Sequence, residues 1–202
     1  MSREVDGLKG LPGQQSWKGH PTLRKDKLCR FFYGLDRREA RLVRTVVFRS
    51  RHPILFAATV LFNHLGNGWL YLAVGIALLA LEGRSVLRLL LAASISAGLA
   101  HSIYPWIKPR LARVRPCDAD PALGSSVKAL DEYSCPSGHC MTAAAVGTPL
   151  AMTFPSVSIA VLLVWLLIAW SRLSSGHHYP TDLFLGTVIG AGIALPVSLL
   201  LL

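Results

Sequence analysis

The chain reads as an all-α integral membrane helical bundle, and three observations predict it. Hydrophobic residues fill 52% of its 202 positions and charged ones only 16%, against roughly 25% charged in soluble domains. The charge is segregated: residues 1–52 hold 13 of the 21 Lys+Arg and 5 of the 11 Asp+Glu. The rest is a series of apolar runs with polar breaks, without strand alternation or an internal repeat. The length suits one domain. It divides into a basic N-terminal tail with interfacial amphipathic helices, 1–52, and a transmembrane part, 53–202.

Residues 1–20 are polar and rich in Gly, Pro and Gln, the composition of a mobile tail. Over 22–51, Leu28, Phe31, Phe32, Leu35, Leu42, Val43, Val46, Val47 and Phe48 recur at roughly helical spacing among arginines. Such a pattern suits helices lying in a membrane interface, with anionic headgroups as partners of the basic side chains. The +10 charge therefore does not require nucleic acid, for which no motif or interleaving of basic and aromatic residues is visible. Apolar runs follow at 53–65, 69–81, 85–107, 142–154, 157–170 and 183–202. Small residues recur within them (Gly75; Ser94, Ala97, Gly98; Gly186, Gly190, Gly192), as close packing of helices in lipid requires.

Residues 53–65 decide the topology. As 13 helical residues they reach only ~20 Å, against ~30 Å of hydrocarbon. If they cross, the bundle has six transmembrane helices, and the basic segment lies opposite the polar breaks that follow 107, 135 and 170. The positive-inside rule then puts those breaks on the extracytoplasmic face of a bacterial inner membrane. If they are re-entrant or interfacial, there are five spans and the breaks face the cytoplasm. Six is the expectation, with five as the alternative. Cys117 and Cys135 flank one polar loop; they pair in an oxidising compartment and are otherwise free thiols.

The polar breaks carry the chemistry. Lys108 and Arg115-Pro116 follow the third run, Pro136-Ser137-Gly138-His139 opens the fourth, and Ser171-Arg172 with His178 and Asp182 join the last two. Counting crossings puts all of these on one face. Transferring a phosphoryl group spreads charge over its equatorial oxygens, so several fixed donors are needed. Lys108, Arg115 and Arg172 supply charge; Ser137 and Gly138 supply a helix start whose free N–H groups bind anions. With these in place a divalent metal is not required, no carboxylate cluster for one is visible, and no cofactor is expected. Asp182, four residues after His178, orients one imidazole nitrogen and leaves the other as nucleophile. His139 is placed to protonate the leaving oxygen. Read singly, Arg110 and Arg113 are structural or headgroup-binding residues. His177 is a solvated neighbour of His178, and His64 and Asn67 mark a tight turn. His101 is either a buried hydrogen-bonded group or part of the site.

Together these stretches resemble the signature of the type 2 phosphatidic acid phosphatase (PAP2) superfamily: Lys, six residues, Arg-Pro; Pro-Ser-Gly-His; Ser-Arg, five residues, His, three residues, Asp. The resemblance implies a PAP2-like core and a metal-independent phosphatase, with His178 as nucleophile, Asp182 as its orienter and His139 as general acid. It also implies that Lys108, Arg115, Arg172, Ser137 and the Gly138 amide hold the phosphate. A lipid phosphate or diphosphate is the implied substrate, with a polyprenyl diphosphate or related isoprenoid phosphate favoured. Phosphatidylglycerol phosphate, phosphatidic acid, and transfer to a second lipid are the alternatives, with a non-catalytic lipid-binding membrane protein behind them. The basic segment falls outside the signature.

Overall fold

The computed structural model describes residues 27–125 and 127–202; the polar tail expected over 1–20 lies outside them. Among the described residues the elements are helical: α1 (Lys27–Arg49), α2 (Pro53–His64), α3 (Leu70–Glu82), α4 (Leu87–Leu111), α5 (Gly138–Thr153), α6 (Ser158–Ser174) and α7 (Pro180–Leu201). A five-residue π-type turn, Leu65–Trp69, joins α2 to α3.

The distribution of side chains is inverted relative to a soluble protein. Ile54, Leu72, Leu81, Ile159, Phe184 and Leu200 are each more than half exposed, while Ala92, Ala100, Ala145 and Ala194 fill the contacts between helices. That arrangement is stable when the exterior meets hydrocarbon and close backbone approach holds the helices together. Helical stretches long and apolar enough to cross a bilayer run over Pro53–Ala119, Pro155–Ser174 and Pro180–Leu201. The closest approach is between α5 and α7. A Cβ on Gly186 would lie 2.4 Å from the Ser137 carbonyl oxygen, and one on Gly190 only 2.1 Å from that of Met141.

Residues 53–65 do not fold back on the run that follows. Thr59 bonds Ser174 of α6 at 2.9 Å, Asn63 accepts from Arg172, and Gly66 lies against Ile168 and His139. Further on, Tyr71, Val74, Leu78 and Glu82 line one groove with Ala143, Val146, Leu150 and Phe154 of α5. These neighbours succeed one another from one end of the bundle to the other. Residues 53–82 are therefore one rod bent at the π turn, where Gly68 takes φ +122°, and not the tight turn read around His64 and Asn67.

The end of the bundle where α2 begins also carries α1. Among its described side chains Phe32, Asp36, Val43 and Val47 are buried, spaced along one helical face, and Ser50 just beyond its end is buried too. Val43 and Val47 pack on Leu123 and Tyr179, and Arg51 donates to the carbonyls of Ala122 (2.9 Å) and Leu123 (3.3 Å). The apolar stripe expected to face lipid is thus largely used against protein. Leu42 and Phe48 stay exposed beside the exposed arginines 37, 38, 41, 44 and 49.

Candidate active site

Four helix ends meet beneath α1. α4 closes through Ala112 in the left-handed region (φ 43°), and an extended run carries Arg113 to Arg115 across the end of the bundle. Ser137 is the N-cap of α5, yet its side chain makes no capping bond. α6 delivers Arg172, and the short link to α7 delivers His177 and His178.

All eight predicted site residues converge here, and Lys108, Arg115, Ser137, His139, Arg172, His178 and Asp182 are all buried. Lys108, Gly138, His139, Arg172 and His178 line a cavity of about 370 Å³. Arg172 Nε and His178 Nδ1, in residues that line it, and Ser137 Oγ, next to the lining Gly138, are buried without a hydrogen-bond partner. Buried polar atoms are rarely left so, because each costs about 1–3 kcal/mol. Ser137 Oγ and Arg172 Nε are thus left open for an anion's oxygens, while His178 Nδ1 faces Asp182. His101, left open between two readings, lines the cavity and bonds the Ala97 carbonyl at 2.9 Å.

The other donors are already engaged. Asp131, in the polar loop, accepts from Lys108 Nζ at 2.5 Å and from Arg115 Nη2 at 2.6 Å, with Tyr104 donating to its other oxygen. Burial alone would raise its carboxyl, but Lys108, Tyr104 and Arg115 hold it down at about 2. A loop carboxylate thus takes the bonds that a phosphate would take. Arg115 also donates to the His177 carbonyl at 3.0 Å.

Burial and the neighbouring cations favour the neutral form of His177 and His178. Burial, followed by the charge of Arg172, lowers His177 to about 3. His178 is pushed well below its usual value by burial and then by Arg172, Arg115 and Lys108. His177 is not a solvated neighbour: it is fully buried. Its Nδ1 accepts from Arg172 at 2.8 Å, and its Nε2–H faces the Val127 carbonyl (2.8 Å). It braces Arg172 against the loop. A neutral His178 is the form a nucleophile needs.

Asp182 lies 3.8 Å from His178 Nδ1, close enough to orient it but longer than a hydrogen bond. Its oxygens bond elsewhere, Oδ2 to the Tyr179 N–H at 2.8 Å and Oδ1 to Arg113 at 2.6 Å. Arg113, read from sequence as structural or headgroup-binding, is fully enclosed and holds the dyad. His139 donates from Nε2 to Asn67 Oδ1 at 2.8 Å, which fixes its tautomer. Gly66 makes room for the ring, since a Cβ there would sit 2.8 Å from His139 Cδ2. The π turn sets Asn67 against His139; a polar residue between two glycines inside an apolar run was its signal. Cys117, Cys135 and Cys140 are free thiols, and among the described residues no group of three His, Cys, Asp or Glu is placed to hold a metal ion.

An apolar groove of about 560 Å³ runs between α3 and α4. It shares Gly68 and Thr142 with the polar cavity, so a charged pocket adjoins a lipid-facing slot.

Comparison with known proteins agrees with this geometry. Two decaprenylphosphoryl-5-phosphoribose phosphatases are similar in sequence. That of Mycobacterium tuberculosis is 33% identical over 148 residues, covering 70% of this chain and 77% of its own. That of Mycolicibacterium smegmatis is 35% identical over 140 residues, covering 68% and 73%. Among solved structures, LpxE of Aquifex aeolicus superposes with a TM-score of 0.62 at 24% identity, covering 78% of this chain and 92% of that one. The transmembrane PAP2-type phosphatidylglycerolphosphate phosphatase of Bacillus subtilis superposes with a TM-score of 0.66 at 21% identity, covering 83% and 86%. At these identities the two structures speak for the fold. The sequence profile of the PAP2 superfamily matches residues 85–201, more than half of the chain and every residue of the cavity's cation and histidine set, and the chain belongs to that superfamily.

Proposed function

We propose that this protein is a membrane lipid phosphatase that removes a terminal phosphate from a polyprenyl-linked phosphate through a phosphohistidine at His178. One observation carries the reading: Lys108, Arg172, His139 and His178 line a cavity that adjoins an apolar slot between α3 and α4, with Arg115 joined to Lys108 through Asp131. A phosphate fits the first and an isoprenoid tail the second. The mycobacterial relatives, named for a decaprenyl-linked phosphoribose, support the same substrate class.

In the first step Lys108, Arg115, Arg172, Ser137 Oγ and the Gly138 N–H hold the phosphoryl oxygens. With Nδ1 turned to Asp182, His178 uses Nε2 to attack phosphorus. The P–O bond to the lipid breaks as His139, in its imidazolium form, gives a ring proton to the leaving oxygen and becomes neutral. His139 then takes a proton from water, whose oxygen attacks phosphorus; the P–N bond breaks and inorganic phosphate leaves. Every charge in this scheme is met by a side chain, and no metal takes part.

The basic segment bears on which side this happens. α1 and its exit, with arginines 37, 38, 41, 44, 49 and 51, lie at the site's end of the bundle. The opposite end offers Arg84 and Arg88. The positive-inside rule then favours five spans with the site on the cytoplasmic face, in place of the extracytoplasmic site expected from six. Anionic headgroups would meet the exposed arginines beside Leu42 and Phe48. Labelling of Cys117 in intact cells by a membrane-impermeant thiol reagent contradicts this topology; labelling only after permeabilisation agrees with it.

The function itself is tested by phosphate release from purified protein in detergent with EDTA present. The panel holds undecaprenyl diphosphate, a polyprenylphosphoryl-5-phosphoribose, phosphatidylglycerol phosphate and phosphatidic acid, with His178→Ala as control. The expected result is His178-dependent release, greatest from an isoprenoid lipid. Release that vanishes with EDTA, or that persists in His178→Ala, contradicts the proposal.

A further inference from the structure

Arg113 is the most heavily engaged cation among the described residues, and none of its bonds goes to the phosphate cavity. Nη1 donates to Asp182 Oδ1 and to Thr181 Oγ1, each at 2.6 Å. Nη2 donates to Asp36 at 2.7 Å and Glu39 at 2.8 Å, and Nε donates to Asp36 at 2.9 Å. Its guanidinium lies over the rings of Tyr179 (4.2 Å) and Phe32 (5.0 Å). Glu39 makes a second link: it accepts from the Thr181 N–H at 3.0 Å and from Thr181 Oγ1 at 2.9 Å. It thereby satisfies a free donor in the first turn of α7, the turn that carries Asp182.

We infer that α1 is a positioning element of the active site: Asp36 and Glu39 hold Arg113 and the first turn of α7, and through them they set the Asp182 carboxylate against His178. Asp36 and Glu39 lie outside the profile match at 85–201, so this chain completes its dyad with residues the family core does not supply. The geometry explains why both are acids. Arg113 is buried against Asp182, and a fork with five donors pins one carboxylate rigidly only when its remaining donors are met. Without α1 the guanidinium would retain Asp182 and Thr181 alone and would be free to turn. A misplacement of about 1 Å at a dyad costs on the order of a hundredfold in rate.

The inference rests on the proposed function and is tested apart from it. Full-length protein in detergent is assayed with undecaprenyl diphosphate, and vanadate is titrated as a ligand of the Lys108–Arg115–Arg172 cage. The Asp36→Asn/Glu39→Gln variant is expected to lose at least tenfold in kcat while its vanadate inhibition constant stays within twofold. Arg41→Gln, on the exposed face of α1, is expected to match the parent. Unchanged kcat in the double variant overturns the inference, and so does a parallel loss of vanadate binding and melting temperature, the mark of a purely structural role. If the double variant does not fold, Glu39→Gln alone, which keeps the Arg113–Asp36 pair, is expected to lose at least threefold in kcat; no loss overturns the inference. A parent that releases no phosphate overturns the proposed function instead.

Discussion

Replacing Asp131 by Asn asks whether the phosphate cage is occupied by its own loop. The carboxylate accepts from Lys108 at 2.5 Å and Arg115 at 2.6 Å, and its side chain is 27% accessible, shielded enough for these bonds to count. A bond between ionised partners is worth about 1.5–3 kcal/mol and one with a neutral partner about 0.5–1.5 kcal/mol. Asn keeps the shape and an acceptor oxygen but loses the charge, so each of the two bonds weakens by about 1 kcal/mol. An incoming oxyanion then displaces a contact weaker by about 2 kcal/mol in all, which corresponds to roughly 30-fold tighter binding. The assay is the vanadate inhibition constant of parent and Asp131→Asn proteins, with melting temperature as the control for folding. An inhibition constant lower by about 30-fold is expected. Weaker vanadate binding in the variant would refute the reasoning, because it would make Asp131 an organiser of the cage instead of its occupant.

Three further predictions follow from the same geometry. Asn67→Leu removes the acceptor that fixes the His139 tautomer; kcat should fall by about 10²–10⁴, the usual worth of a positioned acid, with vanadate affinity little changed, and a normal kcat would show that His139 is not the acid. Gly190→Ala puts a methyl 2.1 Å from the Met141 carbonyl oxygen; a drop in melting temperature reflecting at least the 1–3 kcal/mol typical of overpacking is expected, whereas Gly192→Ala, with open space around it, should match the parent. The third concerns acid. His177 titrates at about 3 and His178 is likewise depressed, so below about pH 6.5, the unfolded value, the unfolded chain binds more protons than the folded one. Stability from this source is full above that pH and is lost as pH falls towards the folded values, at up to about 1.4 kcal/mol per unit for each histidine. The melting temperature should therefore decline between pH 6 and 4, less steeply in His177→Asn; identical slopes would contradict a buried neutral His177.

How much of this was legible in the sequence depended on the range of each interaction. The grouping of Lys108, Arg115, Ser137, His139, Arg172, His178 and Asp182 could be read because each lies at or within a few residues of a helix end, where local pattern and position relative to the membrane coincide. The roles of Asn67 and Arg113 could not be read this way. Asn67 meets His139 across 72 positions and Arg113 meets Asp36 across 77, and no local periodicity encodes such pairings. The continuity of residues 53–82 was hidden for a related reason. Hydropathy registers Gly66-Asn67-Gly68 as a break between two short helices, whereas a π turn with one left-handed-side glycine bends a single rod there. With 53–82 as one rod, the basic segment comes to the site's end of the bundle. The amphipathic stripe of α1 was legible as a pattern; its partner was not, because a stripe that faces lipid and one that faces Leu123 and Tyr179 have the same sequence signature.

Trapping the intermediate tests the central claim most directly. Rapid-quench mixing with lipid substrate labelled in its terminal phosphate, in EDTA, should yield a phosphoenzyme that is acid-labile and base-stable. Peptide mapping should put the label on His178, and it should disappear in His178→Ala. A label on another residue, or full turnover with no phosphoenzyme at any time, would contradict nucleophilic catalysis by His178.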